Sequence, residues 1–244
     1  MSRRCFFSLL GCFALMSSPL HAETPSPGKL TKASAEVPND TKGKSTLNYW
    51  TYLPKSAKPA TGWPLLVFLH GAGERGDNLE LLKKHGPPRL AGQKPELESF
   101  FMIAPQCPAG RWWDTVAVKD LIDQTLKNQP IDPDRVYITG ISMGGFATWS
   151  LLKDHPKLMA AAMPICGGGD PASVENFKKV PIWTFHGDKD EAVPFQRTVD
   201  LVEALKKVNG DITFTPYPGV THDCWTRTYD NPEVYSWLLK HKRN

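Results

Sequence analysis

A serine near the middle of the chain has the neighbours that acyl-transfer chemistry requires. Ser142 lies in a Gly-Ile-Ser-Met-Gly segment, between a β-branched run at 136–139 and a helix-compatible segment at 145–152. Gly-x-Ser-x-Gly between a strand and a helix forms a turn so tight that the serine takes a strained backbone conformation. Glycines are needed at positions 140 and 144, because a side chain at either position would collide with the neighbouring strand or helix. The serine hydroxyl then stands clear of the backbone, beside the positive end of a helix.

The serine needs a base, and four histidines follow it in the chain. A serine hydroxyl is a weak nucleophile until a base, itself oriented by an acid, takes its proton. In this strand–turn–helix architecture the order along the chain is serine, acid, histidine. His222 follows the last predicted strand, where a base must reach back over the sheet. His155 ends the helix after the serine, His241 lies in a basic tail, and His186 precedes the good acid candidates. We therefore predict His222 as the base.

Three carboxylates compete for the position of the acid, after a predicted strand at 181–185. Asp188 directly follows a glycine, which favours a role in holding the turn through an Asx-type hydrogen bond. Glu191 is expected to be solvated. Asp190 stands just before a Val-Pro turn and is the predicted acid.

The oxyanion that forms during acyl transfer needs two aimed hydrogen-bond donors. One is the backbone N–H of the residue after the nucleophile, Met143. The other comes from the glycine-rich loop at 71–76, where flanking glycines let the N–H of Ala72 turn inward. His70, just before this loop, is either a catalytic imidazole or a hydrogen-bonding scaffold beneath the loop. The scaffold is the expected role.

Tryptophans and a charged pair surround these candidates. Trp112 and Trp113 follow a predicted core strand, so they are expected to line the pocket mouth, where they can stack a sugar or an aromatic ring. The alternative is that one of them packs the adjoining helix against the core. Trp225, three residues after the predicted base, is a further candidate for substrate binding. Glu74 and Arg75 either brace the oxyanion loop as a pair or contact substrate.

Strands and helices alternate along the chain. The continuous apolar run at 64–70 is typical of a strand that is covered on both faces in a parallel sheet. A segment at 47–53 is predicted to be an edge strand. The other predicted strands are 100–104, 136–139, 160–165, 181–185 and 212–217, and the predicted helices are 115–128, 145–152, 196–208 and 232–240. This alternation predicts an α/β fold with a mostly parallel central sheet and helices on both faces, with ligands at the carboxyl ends of the strands.

The composition is that of an ordinary globular protein, with 244 residues of which 41% are apolar and 22% are charged. Residues 1–22 have a basic start, a short apolar run and a plausible cleavage site, which together predict a signal peptide and a secreted or periplasmic protein. Lipoprotein processing at Cys12 is the alternative. The run is too short to span a bilayer, so no stable membrane insertion is expected after cleavage. Residues 23–45, rich in Pro, Lys, Thr and Ser, are predicted to be a disordered linker before a catalytic domain at 46–244.

The net charge and the cysteine spacing indicate which kinds of partner and cofactor to expect. The signal peptide contains two arginines and no other charge, so its removal lowers the formal net charge from +4 to +2. A net charge so close to zero does not indicate nucleic-acid binding. The cysteine spacing fits no zinc pattern. We predict no metal and no cofactor, and the sequence indicates no oligomeric state.

Three cysteines remain after signal removal, in a compartment that permits disulfides. Cys107 and Cys224 both lie in loops at the carboxyl end of the predicted sheet, which makes a Cys107–Cys224 disulfide one hypothesis. The other is three separate thiols, with Cys166 buried as a small hydrophobic residue.

Six ordered segments carry a resemblance to a known family. Together they resemble the phospholipase/carboxylesterase-like α/β-hydrolases, and within them secreted esterases often labelled as predicted peptidases of the prolyl oligopeptidase type. The segments are Phe68–Gly76, Ala104–Cys107, Gly140–Gly145, Pro164–Gly169, His186–Asp190 and Tyr217–His222. The resemblance implies the α/β-hydrolase fold. It also implies Ser142 as nucleophile, Asp190 as acid, His222 as base, and Ala72 with Met143 at the oxyanion hole.

The resulting expectation is a secreted serine carboxylesterase that works through an acyl-enzyme without a cofactor. Acyl or feruloyl esters on polysaccharides are its expected natural substrates. The first alternative is a small secreted serine peptidase. Prolyl oligopeptidases carry a large propeller domain for which this chain has no room, which favours ester hydrolysis. The second alternative is a non-catalytic carbohydrate-binding module on a hydrolase fold, which would be expected to lack the serine or the late histidine.

Overall fold

A computed structural model describes residues 25–39 and 43–243, so the predicted signal peptide and Cys12 lie outside the described residues. Within the described ranges, eight strands form one sheet in the order β1-β2-β4-β3-β5-β6-β7-β8. The strands are β1 (Leu30–Pro38), β2 (Lys44–Tyr52), β3 (Trp63–Leu69), β4 (Phe101–Pro105), β5 (Ile131–Ile141), β6 (Ala161–Ile165), β7 (Ile182–Gly187) and β8 (Ile212–Tyr217). Strand β2 pairs antiparallel with β1 and β4, and every other pairing is parallel. The predicted mostly parallel sheet is confirmed.

Helices cover both faces of this sheet. The α-helices among the described residues are α1 (Gly86–Leu90), α2 (Thr115–Asn128), α3 (Met143–Asp154), α4 (Gln196–Lys207), α5 (Trp225–Asp230) and α6 (Pro232–Leu239). Buried side chains of α2, α3 and α4 pack on one face, and those of α1, α5 and α6 pack on the other. No helix in the described part of the chain is long and apolar enough to cross a membrane.

The pattern of burial explains why these elements form where they do. All seven residues of β3 are buried, as expected for an apolar strand between two helical layers. Helix α2 begins where the Asp114 side chain accepts hydrogen bonds from the backbone N–H groups of Val116 and Ala117. Its buried residues recur at helical spacing, so one face packs on the sheet.

The prediction of a disordered linker at 23–45 is wrong for the residues that form β1. Its residues alternate between buried and exposed positions, with Ala33, Ala35 and Val37 in the core. These side chains are small, and Lys, Ser and Glu lie between them, so the period-two pattern is weak in the sequence. The folded unit therefore begins before residue 46. The segment predicted as an edge strand, 47–53, belongs to β2, which β1 covers on its outer side.

The parallel strands bring their following loops to one edge of the sheet. The loops after β3 and β4, the turn at Ser142 after β5, and the loops after β6, β7 and β8 all emerge there. This edge carries each of the predicted site residues.

Candidate active site

The turn between β5 and α3 holds Ser142 in a strained conformation, with φ 52° and ψ −115°. This conformation is unfavourable for a residue with a side chain. The flanking glycines have the predicted reason: a Cβ at Gly140 would lie 2.3 Å from the carbonyl oxygen of Gly144, and one at Gly144 would lie 2.0 Å from that of Leu69. The helix can therefore start directly against β3, with Ser142 at its N-terminal end.

A hydrogen-bonded chain joins Ser142, His222 and Asp190. The Ser142 Oγ lies 2.9 Å from Nε2 of His222, and Nδ1 of the same ring lies 2.7 Å from Oδ2 of Asp190. The carboxylate accepts a hydrogen bond and so assigns the proton of the neutral ring to Nδ1, which leaves Nε2 to accept from the serine hydroxyl. The structure thus brings together the three residues that the sequence predicted as nucleophile, base and acid.

The Asp190 carboxylate is buried and accepts four hydrogen bonds. Its Oδ1 receives the backbone N–H groups of Ala192 and Val193, both at 2.9 Å. Its Oδ2 receives His222 and also Nε2 of a second histidine, His186, at 3.1 Å. Burial alone would raise the pKa of Asp190, but the donors from Val193, His222 and Ala192 outweigh it and lower the pKa. The acid therefore stays charged beneath the base.

The other two acid candidates, Asp188 and Glu191, are both exposed. Asp188 is exposed, and its Oδ1 accepts the backbone N–H of Gly219 at 2.7 Å, which ties the turn after β7 to the turn after β8. Its role in holding a turn was predicted, but its partner lies in the next loop and not two residues on. Glu191 is exposed.

His186 is the contact to the acid that sequence reasoning missed. Its ring is fully buried, with Nδ1 2.7 Å from the Thr198 hydroxyl and Nε2 facing both Asp190 and the carbonyl oxygen of Val193. Two acceptors at Nε2 require a proton there, and burial lowers the ring's pKa. Neutral His186 is therefore a fixed donor to Asp190. The sequence signal for His186 was its position four residues before Asp190, directly after the strand predicted at 181–185.

The loop that contains Ala72 packs against the nucleophile. A Cβ at Gly71 would lie 3.6 Å from Cβ of Ser142, and Ala72 begins a short 3₁₀ turn right after it. Met143 follows Ser142 as the first residue of α3. Both backbones that were predicted to supply oxyanion donors therefore lie beside Ser142.

His70 supports this loop from below. Its fully buried ring accepts the backbone N–H of Cys107 at Nε2 (2.9 Å), and its Nδ1 lies 2.6 Å from the carbonyl oxygen of Gly71. Burial lowers the pKa of His70 to about 4, so the ring is neutral at physiological pH. Gln106 adds two hydrogen bonds to the same region, to the carbonyl oxygens of Glu74 and Asn78. These contacts agree with the scaffold role expected for His70.

Comparison with known proteins fits this geometry. Residues 114–233 match the phospholipase/carboxylesterase family. A solved thermostable esterase superposes with a TM-score of 0.76 and 34% identity, over 86% of this chain and 63% of that one. The described chain has the α/β-hydrolase fold, and its residues 114–233 are similar to the phospholipase/carboxylesterase family.

Curated relatives of this α/β-hydrolase include a bifunctional acetylxylan esterase/xylanase from Neocallimastix patriciarum, 29% identical over 76% of this chain and 27% of that protein. Another is a carboxylesterase from Arabidopsis thaliana, 30% identical over 50% of this chain and 55% of that protein. The chain thus spans between about a quarter and about half of the length of these two relatives.

The three tryptophans predicted to bind substrate have different surroundings in this fold. Trp112 is 67% exposed, and its ring centroid lies 6.2 Å from that of Phe146 in the first turn of α3. Trp113 is partly buried: its ring lies 4.8 Å from His70, and its Nε1 donates to the His70 carbonyl oxygen. Trp225 is nearly buried, with its ring 5.1 Å from His222. Only Trp112 of the three offers a wide face to solvent.

Glu74 pairs with a histidine and not with Arg75, the partner that the sequence suggested. The buried Glu74 carboxylate lies 3.7 Å from Nε2 of His85, whose Nδ1 accepts the indole N–H of Trp225 at 3.3 Å. Burial raises the pKa of Glu74. Arg75 instead donates to the carbonyl oxygens of Ala72 and Arg111. The chain of contacts from Glu74 through His85 to Trp225 links the oxyanion loop to the loop of the base.

The hypothesis of a Cys107–Cys224 disulfide is wrong, because all three described cysteines are buried free thiols. Cys107 lies under its own loop, with Sγ 3.5 Å from the carbonyl oxygen of Arg111. Cys224 contacts Cys166 instead, thiol to thiol. The two loops leave the same edge of the sheet, as predicted, but strands β3, β5, β6 and β7 separate β4 from β8. A shared edge is therefore not sufficient for proximity.

Proposed function

We propose that this chain is a serine carboxylesterase. His222 Nε2 takes the proton of Ser142 as Oγ attacks the ester carbonyl carbon, and the backbone N–H groups of Ala72 and Met143 stabilise the oxyanion. The imidazolium then protonates the leaving alcohol oxygen, and the C–O bond breaks to give an acyl-enzyme. Water, deprotonated by His222, attacks the acyl carbon and releases the acid and the free serine.

The observation that supports this proposal best is the hydrogen-bonded chain from the strained Ser142 through His222 to Asp190, with contacts of 2.9 and 2.7 Å. Strain at a serine is costly, and here it accompanies a hydroxyl held within hydrogen-bond distance of His222. The hydroxyl of Ser142, the proton acceptor His222 and the orienting acid Asp190 follow one another in the order that acyl transfer needs.

We also propose short acyl esters on polysaccharides as substrates. The relative from Neocallimastix patriciarum is named as an acetylxylan esterase, and a second, from Emericella nidulans, is named as acetylxylan esterase A. The exposed Trp112 ring beside α3 is suited to a sugar or an aromatic ring. The pattern of residues 1–22 supports export, which would bring the enzyme to such polymers. The mass of the mature N-terminal peptide from exported protein tests this part.

The test of the catalytic proposal is Ser142→Ala in the mature protein. We expect turnover of p-nitrophenyl acetate to fall on the order of 10⁴-fold or more, with an unchanged circular dichroism spectrum, because only the acyl-accepting oxygen is lost. A variant that keeps a tenth of the wild-type rate would exclude Ser142 as nucleophile. A parallel panel of p-nitrophenyl esters of graded length, acetylated and feruloylated xylan, and peptide anilides measures the substrate preference.

A further inference from the structure

A groove runs beside Trp112, on the side of that ring away from the catalytic residues. It is open to solvent and lies between the loop after β4 and strand β2. Its lining includes Ser45 and Thr46 from β2, Arg111, Trp112 and Asp114 from the loop, and Ala117 from α2. Strand β1 completes this wall through Val37, so the groove exists only because the segment before residue 46 is folded.

The chemistry of the groove suits a neutral sugar. Trp112 supplies a flat apolar face that is 67% exposed, on which the C–H face of a pyranose can pack. Ser45 is exposed and carries a hydroxyl that can meet those of a sugar. One cation, Arg111, and one anion, Asp114, leave the lining without a net charge. An aromatic platform flanked by a few polar groups is the usual design of a site for a small polar ligand.

The position of the groove separates it from the reacting ester. Ser142 follows β5, and the Trp112 loop follows β4, two strands away in the sheet. Neighbouring strands lie about 4.8 Å apart, so the groove lies roughly 10 Å or more from Ser142. The contact of Trp112 with Phe146, one helical turn after Ser142, makes the indole the bridge between the two places.

We infer that this groove is a remote saccharide subsite, which binds sugar units of the polymer beyond the unit that carries the ester. The inference rests on the proposed esterase function. It requires that catalytic efficiency increase with the length of the sugar chain, because a short substrate that fills the catalytic pocket cannot reach β2. Binding in the groove would then hold the polymer so that successive esters meet Ser142.

The experiment compares kcat/KM on acetylated xylo-oligosaccharides of two and of six units, each divided by kcat/KM on p-nitrophenyl acetate. The ratio cancels changes that affect the catalytic residues alone. For the wild type we expect the six-unit ratio to exceed the two-unit ratio by roughly tenfold, equivalent to about 1.4 kcal/mol. Trp112→Ala should abolish this gain by removing the platform. Ser45→Trp should abolish it by filling the groove, since Ser45 lies on the same face of β2 as Leu47, which lines the groove, and tryptophan is tolerated in a strand.

Val116→Ala is the matched control, because Val116 is an exposed apolar residue (52%) on α2 that does not line the groove. It should keep the wild-type gain. Equal ratios for two and six units in the wild type, or a gain that survives both groove variants, would overturn the inference. If no ester at all is hydrolysed, the proposed function fails, and the groove is tested separately. In a gel that contains soluble xylan, the Ser142→Ala protein should migrate more slowly, and the double variant Ser142→Ala/Trp112→Ala should not. This result would support the saccharide subsite. Migration that does not depend on xylan would overturn it.

Discussion

The acid–base side of the site and the rim around Trp112 are held in opposite ways. On the acid–base side, the Asp190 side chain is fully buried and each oxygen accepts two hydrogen bonds. On the rim, Trp112 is two-thirds exposed and meets its neighbour Phe146 edge to face. Groups that must act at a fixed distance from Ser142 are thus fixed by buried polar contacts, which are strong in a low dielectric. The surface that would select substrates is left open.

Among the residues that surround Ser142, the largest effect is expected at Asp190. Asp190→Asn should lower kcat roughly 10³–10⁴-fold, because an amide can neither hold the imidazole in the right tautomer nor stabilise the imidazolium. The matched control is Asp188→Asn, two residues away, whose exposed side chain only ties two turns together. It should affect folding yield more than kcat. Loss of activity in well-folded Asp188→Asn, with Asp190→Asn active, would exchange the two roles. Steady-state kinetics on p-nitrophenyl acetate measures both.

A smaller effect is expected from His186, which touches the acid but not the serine. His186→Leu removes one hydrogen bond to a charged acceptor, worth about 1.5–3 kcal/mol, so kcat should fall roughly 10–100-fold with little change in KM. The less stabilised carboxylate should then hold a proton on His222 more tightly, and the acid limb of the pH–rate profile should move to higher pH.

His186→Gln can still donate to Asp190 and is the conservative variant for the same experiment. It should restore most of the rate and return the acid limb toward the wild-type position. If the leucine and glutamine variants lose equal activity with unmoved pH profiles, His186 is a packing residue and not a positioning residue for Asp190.

Some features of the site and the fold could be predicted from the sequence, and others could not. Ser142, Asp190 and His222 were found because their linear order and the strand before each of them restrict the choice, although their catalytic roles stay predictions. The sheet followed from continuous apolar runs such as β3. Strand β1 was missed, because alanines at buried positions give almost no hydrophobic contrast with the Lys, Ser and Glu between them.

Contacts between loops could not be predicted, because they depend on strand order. Cys224 meets Cys166 and not Cys107, and Glu74 meets His85 and not its sequence neighbour Arg75. The sequence shows that these residues lie at one edge of the sheet, but not how many strands separate them.

A third prediction concerns stability on the buried side. Burial lowers the pKa of His70 to about 4, with a further lowering by Arg75 and a partial offset by the Gly71 carbonyl. An unfolded histidine titrates near 6.5, so between about pH 6.5 and 4 the unfolded chain binds a proton that the folded protein does not. The stabilisation is therefore complete above about pH 6.5 and is lost progressively as the pH falls to about 4, by up to roughly 3 kcal/mol.

His70→Gln tests this, since glutamine can still accept the Cys107 N–H but does not titrate. Urea unfolding at several pH values should show a shallower loss of unfolding free energy in the variant than in the wild type between about pH 6.5 and 4. His186 and His241, whose pKa values are also lowered, remain in both proteins and contribute to the residual slope. Identical slopes would mean that His70 does not contribute to the acid sensitivity.

The smallest predicted effect is at Trp225, which connects the loop of His222 to the loop that contains Ala72 and Glu74. Its ring packs edge to face on His222, and its indole N–H donates to His85, the partner of Glu74. Trp225→Phe keeps a ring beside the base but loses this donor, and one neutral hydrogen bond is worth about 0.5–1.5 kcal/mol. We expect kcat/KM on p-nitrophenyl acetate to fall by a few-fold, with a larger fall for Trp225→Leu, which loses the ring as well. If phenylalanine costs as much as leucine, the hydrogen bond to His85 positions the base loop and the ring contact does not; if phenylalanine costs nothing, the link from Trp225 to Glu74 has no part in catalysis.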